Sequence, residues 1–144
     1  MTFFFYGTLL DRDVIAMVLG HRLPPAAFIP ARLYGRSRWR VQGGSYPVAV
    51  EDRKGHVDGA IVRGLSARDV AALSAYEGPG YRVVVVGVVV AGRRVPARVF
   101  DPIVSRLKPS RRSWDLVRWQ RMDKRAFVAR ITEALSARRR YSRP

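Results

Sequence analysis

The chain contains no cysteine and only two histidines, His21 and His56. The first absence excludes disulfide frameworks, thiolate nucleophiles, iron–sulfur clusters and cysteine zinc sites; the second leaves too few imidazoles for a metal site built mainly on histidine. Glutamate is nearly as scarce, with Glu51, Glu77 and Glu133 the complete set. Long apolar runs are missing too. The stretch from Val83 to Ala91, interrupted by Gly87, falls far short of the ~20 residues that cross a bilayer. The N-terminal Met-Thr-Phe-Phe-Phe-Tyr lacks the basic lead of a signal peptide and meets a charge at Asp11. No membrane partner and a soluble, cytoplasmic protein are therefore expected. Any chemistry must rest on carboxylates, hydroxyls, backbone amides or arginine.

What is present suits a single domain spanning residues 1–144, with 48% hydrophobic and 26% charged residues, an ordinary globular balance. The net charge of +16 reflects 27 basic against 11 acidic side chains and raises the question of an anionic partner. Its distribution argues against one, because 13 basic and 3 acidic side chains lie between residues 106 and 144. The excess reads as a solvated basic face near the C-terminus. No nucleic-acid-binding motif or interleaved aromatic pattern accompanies it, so a nucleic-acid partner is not expected.

Along the chain, Thr2 to Tyr6 reads as a strand buried on both faces, ended by Gly7. Asp11 caps a helix through Leu19, where Gly20 provides a left-handed stop. Phe28 to Val41 alternates apolar and basic residues as one or two half-exposed strands interrupted near Gly35, and Gly43-Gly44-Ser45 is a turn. Tyr46 to Val50 and His56 to Leu65 follow as strands, with Glu51 to Gly55 as a hairpin-like connection. Ser66 and Asp69 begin a helix that must stop at Gly78-Pro79-Gly80. Tyr81 to Val90 is the strongest strand signal, and Gly92 turns it into a second arm, Arg94 to Phe100. Residues 101–112 read as a connector. Ser113 then caps a last helix over residues 113–137 with an apolar face of Leu116, Trp119, Phe127, Ile131 and Leu135; residues 138–144 form a basic tail in which Arg138, Arg139 and Arg140 complement the helix dipole. The sum is an α+β fold of about six strands and three helices, with helices inserted between hairpins, as in a small mixed β-barrel flanked by helices.

Two segments carry potential chemistry. In Tyr6-Gly7-Thr8-Leu9, a glycine at a strand end allows successive backbone amides to face an oxyanion or carboxylate; an ordinary strand-to-helix turn is the plainer alternative. In Tyr76-Glu77-Gly78-Pro79-Gly80-Tyr81-Arg82, Glu77 falls at a helix C-terminus, where the dipole disfavours negative charge. Either it pairs with Arg82, or it stands in a partly apolar cleft that raises its pKa toward the range useful for proton transfer. Gly44-Ser45-Tyr46-Pro47, a turn entering a strand, is a third feature, where a tyrosine such as Tyr46 more often packs than acts. His21 and His56 stand isolated and receive no role.

Taken in order, Phe4-Phe5-Tyr6-Gly7-Thr8-Leu9, Ser45-Tyr46-Pro47, Val57-Asp58-Gly59 and Leu73-Ser74-Ala75-Tyr76-Glu77-Gly78 followed by Tyr81-Arg82 resemble the gamma-glutamylcyclotransferase superfamily, in its small AIG2-like branch. Trp114-Asp115-Leu116-Val117-Arg118-Trp119 resembles the C-terminal helix of its bacterial members. The resemblance implies a cofactor-free cyclisation of a small γ-glutamyl compound to 5-oxoproline with release of an amine. It implies Glu77 as general base and then acid, Gly7, Thr8 and Leu9 as amide donors to the glutamyl end, Tyr6 as a shaper of the pocket, and Tyr46, Tyr81 and Arg82 as substrate contacts. The chain departs from the pattern at Leu10, where many members carry arginine, and at Val83, where a second basic residue is usual. A catalytically silent ligand-binding or stress-related module of the same fold is the competing expectation, and the oligomeric state is left open.

Overall fold

The N-terminal aromatic run forms β1 (Phe3–Phe5), and its side chains alternate between two cores. Phe3 and Phe5 face a layer of helices, whereas Phe4 and the following Tyr6 face the inside of a barrel, as a strand with period-two side chains and two covered faces requires. The computed structural model describes residues 1–103 and 107–141, with side chains through residue 137. β1 lies between β3 (Pro47–Val62), to which it is antiparallel with Phe4 opposite Ile61, and β5 (Arg93–Pro102), to which it is parallel. β5 pairs with β4 (Tyr81–Val90), β4 with β2 (Ile29–Val41), and β2 returns to β3. Five strands thus close a barrel, and β6 (Pro109–Ser113) adds a sixth to β2.

Helices cover one side. Asp11 caps α1 (Arg12–Leu19) by accepting from the amides of Asp13 and Val14, and Gly20 ends it at φ 80°. Ser66 and Asp69 form a reciprocal capping box at the start of α2 (Ala67–Glu77), and Gly78, at φ 75°, turns the chain away just after Glu77. A left-handed φ there favours glycine, so the helix stops where the sequence places its acid.

Three expectations are corrected by the fold. Glu51 to Gly55 is not a hairpin: β3 runs through it, pairing with the same partner strand on both sides, Tyr34 opposite His56 and Arg36 opposite Glu51. Four residues of β3 therefore face Gly35 alone, at φ 84°, and the irregularity read as a turn is a bulge. Residues 101–112 are not simply a connector, since they contain the end of β5 and most of β6, with 104–106 outside the described residues. The last helix is two helices, α3 (Leu116–Met122) and α4 (Lys124–Tyr141), separated at Asp123; its cap is Asp115, which accepts from the Arg118 amide, while Ser113 ends β6. Among the described residues four α-helices flank the strands instead of three. The side chains of Arg138, Arg139 and Arg140 and the end of the basic tail lie outside the described residues.

The C-terminal helices are fastened by aromatic and charged contacts. Trp119 packs against Trp114 and edge-on to Phe127 at 5.2 Å between centroids. Asp11, only 2% exposed, also accepts from Gln120 Nε2 at 2.9 Å and lies 2.9 Å from Lys124 Nζ. Burial alone would raise its pKa, but the hydrogen bonds from Gln120, Lys124 and the Val14 amide outweigh it and hold the carboxyl below its ordinary value of 3.8. Asp11→Ala is expected to lose roughly 2–4 kcal/mol of stability at neutral pH, since a cap and a buried ionic contact go together. A depressed pKa contributes stability above the unfolded value that vanishes as pH falls through the folded one. Denaturant titrations of the two proteins should therefore show a gap at neutral pH that closes well below pH 3.8.

Candidate active site

A cavity of about 550 Å³ opens where the end of β1 meets the end of α2. One wall is the chain from Tyr6 to Leu9, a second is Tyr76 and Glu77, and Tyr46, Pro47 and Tyr81 close the side between them. Residues seventy positions apart in sequence thus share one small space, because β1 is central in the sheet and α2 packs on the face that Phe3 and Phe5 present.

The turn at Gly7 leads into a single 3-10 turn, Thr8–Leu10. Glycine gives room there, since a Cβ would stand 2.9 Å from Pro47 Cγ. Pro47 is thereby seated against the turn. Among the described residues no acceptor meets the amides of Gly7, Thr8 and Leu9, the leading donors of a helical turn that have no partner of their own. The turn is anchored from both sides. The Thr8 hydroxyl lies 2.7 Å from the Tyr76 hydroxyl, tying it to α2. Arg38 Nη1 donates to the Tyr6 carbonyl at 2.8 Å and the Asp58 carbonyl at 3.0 Å, while its Nε donates to the Trp114 carbonyl and its guanidinium lies over the Trp114 ring.

Glu77 is the acid of the cavity. Among the described residues no cation or hydrogen-bond donor pairs with its carboxyl, and burial pushes its pKa up from 4.5 to about 8. The hydroxyls around it are neutral. Burial, reinforced by the charge of Glu77, raises the pKa values of Tyr6, Tyr76 and Tyr81. Tyr6 donates to the Phe100 carbonyl at 3.2 Å and Tyr81 contacts the Pro47 carbonyl at 3.5 Å, so both rings are fixed as walls. A carboxyl that can hold or release a proton near neutrality, on the wall of the same cavity as unpaired amides, can transfer protons next to an oxygen that gains negative charge. No cluster of three or more metal-ligating side chains occurs among the described residues, and no described helix is long and apolar enough to cross a membrane.

Of the residues singled out in the sequence, Glu77, Tyr6, Gly7, Thr8, Leu9, Tyr46 and Tyr81 line this cavity. Arg82 does not. It follows Tyr81 on β4 and so points to the other face of the strand, with its side chain 70% exposed and its Nε 3.9 Å from Asp101. Its ion pair is therefore with Asp101, and none with Glu77 occurs among the described residues. Sequence reading placed Phe127, Ile131 and Leu135 on a docking face of the last helix, but missed that the same face lines the cavity, together with Leu107 from the stretch taken as a connector. Apolar spacing along a helix marks a buried face without revealing whether it meets a core or a cavity.

The family model for gamma-glutamyl cyclotransferase, AIG2-like, matches residues 3–119. The chain is similar to AIG2-like protein A of Arabidopsis thaliana, 29% identical over 139 residues covering 95% of this chain and 82% of that one. It is likewise similar to AIG2-like protein B of Arabidopsis thaliana, 29% identical over 94% of this chain and 78% of that one. Among solved structures, a solution structure of another Arabidopsis thaliana protein superposes with a TM-score of 0.65 at 28% identity, covering 99% of this chain and 93% of that one. A structure described as gamma-glutamyl cyclotransferase superposes with a TM-score of 0.61 at 21% identity, over 75% of this chain and 68% of that one, a likeness of fold.

The raised pKa of Glu77 has a consequence for stability that is independent of any reaction. The folded chain binds a proton at Glu77 more tightly than the unfolded chain, so its contribution is present in full below pH 4.5 and is lost as pH rises toward about 8. Glu77→Gln, which stays neutral, is expected to melt above the parent protein at pH 8, with the difference shrinking by up to about 1.4 kcal/mol per pH unit toward acid. Thermal melts across that range check it; a pH-independent difference would mean that Glu77 titrates like an exposed carboxylate.

Proposed function

We propose that this chain, which belongs to the gamma-glutamyl cyclotransferase, AIG2-like family, is a cyclotransferase acting on a γ-glutamyl amide. The observation that carries the reading is the meeting of Glu77, unpaired among the described residues, and the amide-bearing turn Gly7 to Leu9 on the walls of one cavity. The glutamyl group binds with its α-carboxylate or its developing oxyanion at those amides, folded so that its own α-amine meets the γ-carbonyl. Holding the two ends together turns ring closure into a positioned intramolecular attack, the largest advantage a site can offer this reaction.

The proton bookkeeping requires one group. The Glu77 carboxylate takes a proton from the α-ammonium; the amine nitrogen attacks the γ-carbon and forms the five-membered ring; the carbonyl oxygen carries the charge of the tetrahedral intermediate. The protonated Glu77 then gives its proton to the leaving nitrogen as the γ-carbon–nitrogen bond breaks, and the carboxylate so restored takes the second proton left on the ring nitrogen and passes it to the freed amine, so that 5-oxoproline and an ammonium ion leave and the Glu77 carboxylate is regenerated. A pKa of about 8 suits both halves, because a strongly acidic carboxyl would accept the first proton poorly. Tyr6, Tyr46 and Tyr81 shape the pocket, and Tyr76 holds Thr8 in place.

The test is release of 5-oxoproline from γ-glutamyl amides by the purified protein. Glu77→Gln is expected to lower kcat/KM by about 10²–10⁴-fold, and the ascending limb of kcat/KM against pH is expected to have its midpoint near 8. Turnover that persists in Glu77→Gln defeats the assignment. Binding of γ-glutamyl compounds with no turnover of any of them favours a silent binding module.

A further inference from the structure

The cavity is larger than the reaction centre needs. A volume of about 550 Å³ lies in the middle of the ~300–1,000 Å³ range of small-molecule pockets, and a glutamyl unit, a five-carbon chain, occupies only the end formed by Gly7 to Leu9 and Glu77. The remainder is bounded by Val18 of α1, Leu107, and Phe127, Ile131, Ala134 and Leu135 of α4. None of these six side chains can donate or accept a hydrogen bond. Among the described residues Glu77 is the one charged side chain on the cavity wall, despite the net charge of +16. The α4 residues also lie beyond the stretch that the family model matches, which ends at residue 119, so membership of the family does not dictate this wall.

We infer that the amine portion of the substrate is an apolar group with no charge of its own, an arylalkyl or long-chain alkyl amine joined to the γ-carboxyl, seated against the inner face of α4. The inference rests on the cyclotransferase reading for its orientation, with the scissile bond at Glu77. Its chemistry follows from the wall. A leaving group such as an amino acid or peptide would bring its carboxylate against six side chains that offer neither cation nor donor, Arg130 lying over the Phe127 ring but not lining the cavity, and an unpaired charge withdrawn from water is costly. An apolar group of the same size exchanges water for contact with Phe127, Ile131 and Leu135, a gain that grows with each methylene. α4 is then both the outer cover of the barrel and the selector of the leaving group.

The experiment compares γ-glutamyl-phenethylamide with γ-glutamylglycine on the full chain, following 5-oxoproline. The expected result is a kcat/KM at least about tenfold higher for the phenethylamide, mostly through KM. In Ile131→Asn the ratio between the two substrates falls toward unity. Leu135→Gln serves as a second variant should Ile131→Asn not fold. Calorimetric binding of both amides to Glu77→Gln gives a readout without turnover, in which the phenethylamide is again expected to bind about tenfold more tightly. γ-Glutamylglycine turned over equally well or better, with the variants leaving the ratio unchanged, overturns the inference and leaves the cyclotransferase reading intact. Preferential binding of the phenethylamide without any 5-oxoproline overturns the reaction and retains the apolar wall as the recognising surface. No binding of either compound overturns both.

Discussion

The three residues of β1 are constrained from every side. Hydrogen-bonded neighbours flank Phe3–Phe5 on both edges, β3 antiparallel and β5 parallel, and both faces are covered, one by the barrel interior and the other by helices. A strand with no free edge and no wet face has one register, since a slip by one residue would exchange its two hydrophobic sets. Gly59 enforces the fit. A Cβ at that position would collide with the Phe5 carbonyl and the Phe4 ring, so β3 can approach β1 this closely only with glycine there. The end of β1 is thereby placed within narrow limits, and the turn at Gly7 inherits them.

Rigidity of that kind is what an intramolecular reaction demands of a protein. In the cyclisation proposed above, the substrate would supply both nucleophile and electrophile, and the protein would hold a flexible chain in the one conformation that brings them together. Backbone amides borne by a strand end locked in register, and a carboxyl on the last residue of a capped helix, are less mobile than groups on long side chains in an open loop. The ties across the gap act in the same direction: Thr8 to Tyr76 joins the turn to α2, and Arg38 joins the Tyr6 carbonyl to β3 and to the chain entering α3. The first tie lies in the cavity wall itself, and the second stands behind it. Both keep the cavity walls in register.

Much of this was legible in the sequence, and the reasons are local. Asp11 and Ser66 announce helices through caps, Gly20 and Gly78 end them, and the aromatic run before Gly7 reads as a doubly buried strand, because each of these signals is decided by a few neighbouring residues. Glu77 was conspicuous as an acid at the wrong end of a helix. The misreadings depended on partners distant in the chain. Whether Glu51 to Gly55 turns back or bulges is determined by β2, which pairs with β3 on both sides of it. Whether the apolar face of the last helix meets core or cavity is determined by how far α4 stands from α2 and from the turn at Gly7. The direction of Arg82 follows from alternation along β4 once Tyr81 faces the cavity.

The charge of the chain and the chemistry of its cavity are separate matters. Arginines dominate the surface, and the described arginines near the site are turned away or engaged: Arg82 toward Asp101, Arg36 toward the same carboxylate at 2.6 Å, Arg38 toward three carbonyls. A guanidinium inside the cavity would pair with Glu77 and pull its pKa down, out of the range in which it can both accept and return a proton. Neutral amides at Gly7 to Leu9 escape that conflict, because they can stabilise an anion through their dipoles without supplying a full positive charge to the nearby acid. On the proposed reading, a carboxyl whose pKa burial raises is therefore better served by backbone donors than by arginine, even in a chain with 27 basic residues.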